Sequence, residues 1–446
     1  MAPATGTAYQ VHITPQNSGL WEFKQTEETA KKASELLQKD LQEHHVFFNE
    51  DGFHNHIPHH ILALYGTGAG AEALQKGYDA NTGYQRPVLP PHGGVIEDLK
   101  DWDHAKKYLG KEKYYPDFLR FFQKEIDKKG WENVMNEYVF KGDEAADDVF
   151  GRLFAGFLHP IIQLMYGMEW AQPAIVAEAL AQTSVHGNDL NPFLFEAEKE
   201  AAQSSAGDMP SIVSLYKAVH DNDKLANSVR MEDSNKVRDG VLVRARAEML
   251  KVASRVKVRP EQLEEKTAEM FHSALYMAAA AAIHPPKHPK FDFFFIHHVN
   301  SAPIFLTINA QPWISTEVKV RILEWKIRMD LVQYAARAVP PLSLDSITLY
   351  RPRDESGKMP ADVVSRLHLF DDDGHAIKLG RAAGICQELS TKYQGKDWTV
   401  IRGDDVWMKV HRLIVDSVEA PGPHWVRTTG LDEAWENVPD APDAKL

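Results

Sequence analysis

Residues 52–70 read GFHNHIPHHILALYGTGAG, which ties four histidines, His54, His56, His59 and His60, to one apolar segment. A helix is predicted to start near Pro58, because proline supplies a helical φ and lacks only an N–H that the first turn leaves unpaired. Ile61, Leu62, Leu64 and Tyr65 give that helix a mostly buried body. His54 and His56 then fall just before the helix and His59 and His60 on its first turn, so the four cannot all point the same way. One or two are expected to turn inward; the plain alternative for each is a half-exposed histidine with ordinary hydrogen bonds. Imidazole titrates near neutrality and is the commonest side-chain metal ligand. The choice therefore rests on partners elsewhere in the chain.

The rest of the sequence is mainly helical in pattern, since long periodic segments outnumber convincing strands. Residues 27–44 place Leu36, Leu37 and Leu41 on one amphipathic face. Residues 100–140 mix aromatic and charged positions in the manner of short helices. Residues 172–186 have Pro173 at the start and Gly187 past the end of a buried helix. A long helix beginning at Pro260 is stopped by Pro285 and Pro286. Ser315 and Thr316 offer N-cap oxygens to a helix whose Val318, Ile322, Trp325, Met329, Val332 and Ala336 form a core stripe. The last helix spans 404–418. Elsewhere, Tyr9, Val11 and Ile13 alternate in a short strand or extended arm within residues 1–25, residues 78–94 read as a long loop, and residues 340–374 are rich in Pro, Asp and Gly. The expected architecture is mainly α: one large, single-core helical domain over 1–446 with a few short strands or extended arms. Residues 200–240 are an inserted or linking region within it, and 419–446 an extended C-terminal tail.

A chain of 446 residues is long enough to bury a deep site. Its formal charge of −13 argues against a nucleic-acid partner, which would call for clustered Lys and Arg. The longest apolar run, 274–283, is too short to cross a bilayer, and the opening MAPATGTAYQVHI lacks a secretory pattern. A soluble, intracellular (cytoplasmic) protein without a membrane or nucleic-acid partner is expected. The single cysteine, Cys386, excludes an internal disulfide and a thiolate cage, so any metal must be held by nitrogen and oxygen. The GTGAG run at 66–70 continues out of a helical segment rather than following a strand, which is the wrong context for a dinucleotide loop. No flavin motif is present.

Histidines interrupt three further apolar segments: His159 in GFLHPIIQLMYGMEW, His297 and His298 in DFFFIHHVN, and His375 in GHAIK, where Lys378 lies one helical turn on. Each alone reads as a core histidine satisfied by a carbonyl, or as a ligand. Of His297 and His298, one is expected to face in. The recurrence of the pattern raises the weight of the ligand reading.

These pieces, with HNHIPHHILALYGTGA and the closing WVRTTGLDEAWENV, resemble the questin oxidase-like proteins of fungal aromatic polyketide pathways over residues 44–437. The resemblance implies an oxygenase that opens an anthraquinone ring, with a Baeyer–Villiger-like outcome, to give a benzophenone. It points to His56, His159, His297, His375 and Lys378 as catalytic and metal-ligating residues, and leaves His59, His60 and His298 as less certain neighbours. Imidazoles suit several transition metals; oxygen insertion favours Fe(II), with O2 as co-substrate, NADPH as a possible electron donor and no flavin. An ammonium on Lys378 about 5 Å from a dication would be repelled by roughly 6–7 kcal/mol at an effective dielectric of about 20. The resemblance suggests a carboxylated lysine as the answer, an anionic oxygen ligand formed by a buried amine; a solvated helix lysine is the plain alternative. Phe291, Phe293, Phe294, Phe295 and Trp170 are candidate walls for a flat substrate, or simply core. The competing readings are a metallohydrolase with a His and carboxylated-Lys site, a non-catalytic helical binding protein and a flavin monooxygenase. The exact quinone and the oligomeric state are not legible.

Overall fold

The computed structural model describes residues 6–204 and 207–442. It is 61% helical and contains no strand among the described residues, only four isolated bridges. The mainly α expectation therefore holds. Strands fail even where alternation suggested one. Val11 and Ile13 are buried, but their amides donate to side chains instead of a neighbouring strand: Val11 N to Gln38 Oε1 at 2.8 Å and Ile13 N to Ser34 Oγ at 2.8 Å. The segment is an extended arm held by helix side chains. Residues 1–5 of the expected arm lie outside the described residues.

The chain divides into two compact units: residues 1–191, 306–314 and 365–381 form one, and residues 192–305, 315–364 and 382–446 the other. In the first unit, helices Glu27–Glu43, Ile57–Tyr65 and Ala71–Thr82 pack against one another, and Pro173–Val185 packs against both Tyr115–Lys129 and His159–Glu169. The Pro173–Val185 helix is buried along its whole length apart from its first residue, its polar Glu178, Gln182, Thr183 and Ser184 included. Its approach to the His159–Glu169 helix depends on Gly167, where a Cβ would lie 2.8 Å from Val176 N. The loop expected over 78–94 begins later than predicted. The Ala71–Thr82 helix runs through its first residues because Gly77, Tyr78 and Asn81 continue the buried face.

The second unit holds the longest helices, Leu263–Ala281 and Thr316–Ala336, together with Phe293–Asn300 and Asp404–Glu419. Ser315 caps the Thr316–Ala336 helix through Val318 N, as predicted, but the buried side is wider than a stripe: Lys326, Arg328 and Asp330 are also buried. Lys326 Nζ donates to Asp330 Oδ1 at 2.5 Å, which makes that burial tolerable. The described part of residues 200–240 carries helices of its own, including Ile212–His220; residues 205–206 lie outside the described set. The C-terminal segment is not loose along its described length: Val426, Trp435 and Val438 form a buried cluster, and Trp435 Nε1 donates to Thr429 O at 3.0 Å. Residues 443–446 of that tail fall outside the described residues. No single helix among the described residues is long and apolar enough to cross a membrane.

Both units bury neutral histidines. In the second, burial and the neighbouring Arg402 push His272 down to about 3, and burial alone takes His411 to about 4. An unfolded chain binds protons at these sites near pH 6.5, whereas the folded chain does not, so stability falls as the pH drops from 6.5 towards 4. Each of the two should remove about 3 kcal/mol at pH 4. Denaturant titrations at pH 7.5 and 4.5 should show a lower midpoint in acid; an unchanged midpoint would contradict the buried neutral state.

Candidate metal centre

His56 stands immediately before the Ile57–Tyr65 helix, with Pro58 in its first turn as predicted. All four histidines of this stretch are buried, not one or two. Every residue of the helix is buried, and His54 and His56 just before it are enclosed as well. His375 opens the His375–Thr391 helix, and His159 opens His159–Glu169. Three helix starts thus converge: ligand atoms of His56, His159 and His375 lie within 4.8 Å of one another.

Their second nitrogens fix the tautomers. Asp373 bridges two of the rings, accepting from His56 Nδ1 at 2.8 Å on Oδ2 and from His375 Nδ1 on Oδ1. His159 Nδ1 donates to Gly156 O at 2.6 Å. In a neutral imidazole, a protonated Nδ1 leaves an Nε2 lone pair, so all three Nε2 atoms are acceptors. His56 Nε2 and His159 Nε2 nevertheless stand 2.8 Å apart. Two lone pairs at that distance repel unless a proton or a cation lies between them. Burial and the nearby Lys378 both lower the pKa of His56, and burial takes His375 to about 3 against the pull of Asp373; protonation is disfavoured. A cation fits: two nitrogen ligands at about 2.1 Å from an ion and at right angles to one another are about 3.0 Å apart. Three neutral imidazoles, two braced by one carboxylate, are a donor set that could hold a metal ion. The triad can hold an ion.

Around the triad the electrostatics are tight. Burial opposes ionisation of Asp373, yet His375 and His56 hold its carboxyl well below the usual range. Asp372 is pushed up to about 7 by burial and by Asp373 beside it. Lys378, one turn along from His375 and buried, is lowered to about 8 by burial, against the pull of Asp373 and Asp372. The solvated-lysine alternative is thereby removed. Gly374 permits this arrangement, with φ at +86° and room for a Cβ denied by His60, whose Cβ lies 2.7 Å away.

The remaining histidines have other partners. His60 Nδ1 is 3.3 Å from Asn81 Nδ2. His59 Nε2 meets Gln163 Oε1 at 2.5 Å, and Gln163 Nε2 donates to the buried Glu178 at 3.0 Å; His59 Nδ1 has no hydrogen-bond partner. His54 stacks on His159 at 3.9 Å and reaches His186 Nε2 at 2.7 Å. His297 and His298 lie in the second unit and are both buried, not one of them. His298 Nδ1 meets Asp330 Oδ1 at 2.5 Å, and His297 Nδ1 meets Phe293 O at 2.6 Å. Sequence reasoning missed Asp373, Gln163, Glu178 and His186. The run of three aspartates before Gly374 was the available signal for Asp373; no local pattern marked the others.

A family model described as Questin oxidase-like matches residues 53–383. The chain is 37% identical to the Baeyer-Villiger oxidase ptaJ of Pestalotiopsis fici, over 98% of this chain and 99% of that protein. It is 36% identical to the questin oxidase of Aspergillus fumigatus (91% and 93% covered) and 36% identical to the oxidoreductase AflY of Aspergillus parasiticus (90% and 81% covered). The chain belongs to the questin oxidase-like family. The resemblance read from its histidine motifs is thus established. The barrel expected of a rival amidohydrolase-like enzyme is excluded by a helical fold that has no strand among the described residues.

One local feature of this family member carries strain. Gly156, Phe157 and Leu158 have φ of +52°, +54° and +67°, a left-handed turn that delivers the Gly156 carbonyl to His159. Each non-glycine residue in that region costs about 1–2 kcal/mol. Phe157→Gly should therefore raise stability by about 1 kcal/mol. Gly156→Ala should lower it, since the new Cβ would lie 2.5 Å from the His186 ring. Thermal unfolding of both variants checks this, and a destabilised Phe157→Gly would refute the strain.

Proposed function

We propose that this oxidoreductase is a non-haem, iron-dependent oxygenase that opens the ring of an anthraquinone-type polyketide, with a Baeyer–Villiger-like outcome, to a benzophenone-type product. The observation that carries the proposal is the convergence of three imidazole lone pairs, two of them oriented by Asp373, in a chain whose family relatives are named questin oxidase and Baeyer-Villiger oxidase. His56, His159 and His375 would hold the ion. His297 is proposed as a further ligand on the resemblance of its His-x-Val-Asn run, and Lys378 as an oxygen ligand in carboxylated form. Fe(II) would supply the one-electron reactivity that ground-state O2 requires.

The side chains of this protein set the conditions for that chemistry. Burial keeps His56 and His375 neutral against the pull of Asp373, which aims both rings through their Nδ1–H groups. Burial holds the Lys378 amine near its titration midpoint at physiological pH, so that a neutral amine is available to add CO2, forming an N–C bond and releasing one proton. Insertion of one oxygen atom of O2 with reduction of the other to water consumes two electrons and two protons, for which NADPH is the proposed donor. A dioxygenase that retains both atoms in the product consumes none. NADPH oxidation per ring opened separates these routes.

Protein purified without added metal is expected to contain iron, and alanine replacement of His56, His159, His297 or His375 to reduce that content and the activity. Full iron in all four variants would overturn the assignment. Asp373→Asn should weaken iron affinity about 10–100-fold in a chelator competition, as loss of a ligand-orienting carboxylate generally does.

The lysine is tested separately. Lys378→Ala should weaken both iron binding and ring opening, and acetate should partly restore them by placing a carboxylate in the vacated space. Unaltered activity in Lys378→Ala would exclude the carboxylated ligand and leave the histidine site standing.

A further inference from the structure

The second unit buries a guanidinium two of whose nitrogens lack acceptors. Arg337 follows the Thr316–Ala336 helix and is 2% exposed, and its Nε and Nη1 are buried without a hydrogen-bond partner. Phe294 covers its face, with the guanidinium carbon 4.0 Å from the ring centroid. That contact leaves the in-plane N–H groups of Nε and Nη1 unsatisfied. The carboxylate that acts on Arg337 through space is Asp292, but its oxygens are already taken. Oδ1 accepts from Phe294 N at 2.8 Å and Phe295 N at 3.3 Å, and Oδ2 from Thr428 N at 2.8 Å and Thr429 N at 3.0 Å.

Two other buried donors in the same neighbourhood are unpaired. Gln333, one helical turn before Arg337, has an orphaned Nε2, and Thr429 an orphaned Oγ1. Thr429 belongs to the segment whose Gly430 N donates to Arg337 O at 3.0 Å. The backbone here is also strained: Ala338 and Val339 have φ of +58° and +42°. A β-branched residue in that region is an outlier of the kind that gathers at ligand sites. Arg337 in turn acts as a like charge on Lys236, whose pKa is lowered by burial and by Arg337. A buried guanidinium is stable only when paired and hydrogen-bonded; with the unpaired amide of Gln333 and hydroxyl of Thr429, whose backbones adjoin that of Arg337, it offers the donors that a two-oxygen anion takes.

We propose that Arg337, Gln333 and Thr429 form a binding site for a small carboxylate. The site lies within the second unit and does not depend on the proposed iron. Its test is calorimetric titration of the full-length protein with acetate, and with acetamide as the neutral isostere, at constant ionic strength. Saturable acetate binding is expected, with acetamide at least tenfold weaker. Arg337→Gln should weaken acetate at least tenfold, whereas His56→Ala, which removes a proposed iron ligand, should leave this binding within twofold. Equal acetate affinity in wild type and Arg337→Gln would overturn the proposal, as would binding lost in His56→Ala and kept in Arg337→Gln. If Arg337→Gln fails to fold, Gln333→Leu replaces it; unchanged acetate binding there is equally decisive. A crystal grown with acetate that shows only water against Arg337 would also overturn it.

Discussion

The carboxylate of Asp373 holds together parts of the chain that are 317 residues apart in sequence, bonding His56 Nδ1 at the entry to one helix and His375 Nδ1 at the start of another. Without it, either ring could flip or exchange tautomers, and the Nε2 lone pairs would no longer converge. Its own placement follows from Gly374, whose left-handed φ turns the chain between the carboxylate and the helix it precedes. Asp372, the neighbour in sequence, accepts from Gly374 N and Ala376 N, each at 2.8 Å, and so caps the same helix. Two adjacent aspartates thus divide the work. One fixes the backbone and the other fixes the rings.

Much of this was readable in advance where the signal was local. Proline at the first turn placed the Ile57–Tyr65 and Pro173–Val185 helices, because the constraint acts on the residue itself. The histidines were singled out by their presence in apolar runs, which is also a local property. What was hidden is the set of partners. Gln163 and Glu178 look like ordinary polar positions on helices, and only the packing of His159–Glu169 against Pro173–Val185 places them as a chain behind His59. The misjudged burial of His54, His59, His60 and of the His297–His298 pair has one origin. Amphipathic reasoning assumes that each helix keeps a wet side, and in a protein this large several helices have none.

The charges around the triad also form a balance that the proposed ligand set respects. In the protein alone, ionised Asp373 is offset by Lys378, while Asp372, held near 7, is close to neutral in mildly acidic solution. A dication added to that group with Lys378 still an ammonium would leave two uncompensated positive charges in a buried region, and ionising Asp372 would remove only one of them. Converting Lys378 to a carbamate changes its charge from positive to negative, so that Asp373, the carbamate and the dication sum to zero. The same conversion replaces a repelled neighbour by an oxygen donor. Burial makes the ammonium unfavourable to begin with, and the incoming charge of the ion would make it more so; both act in the direction of the modified side chain.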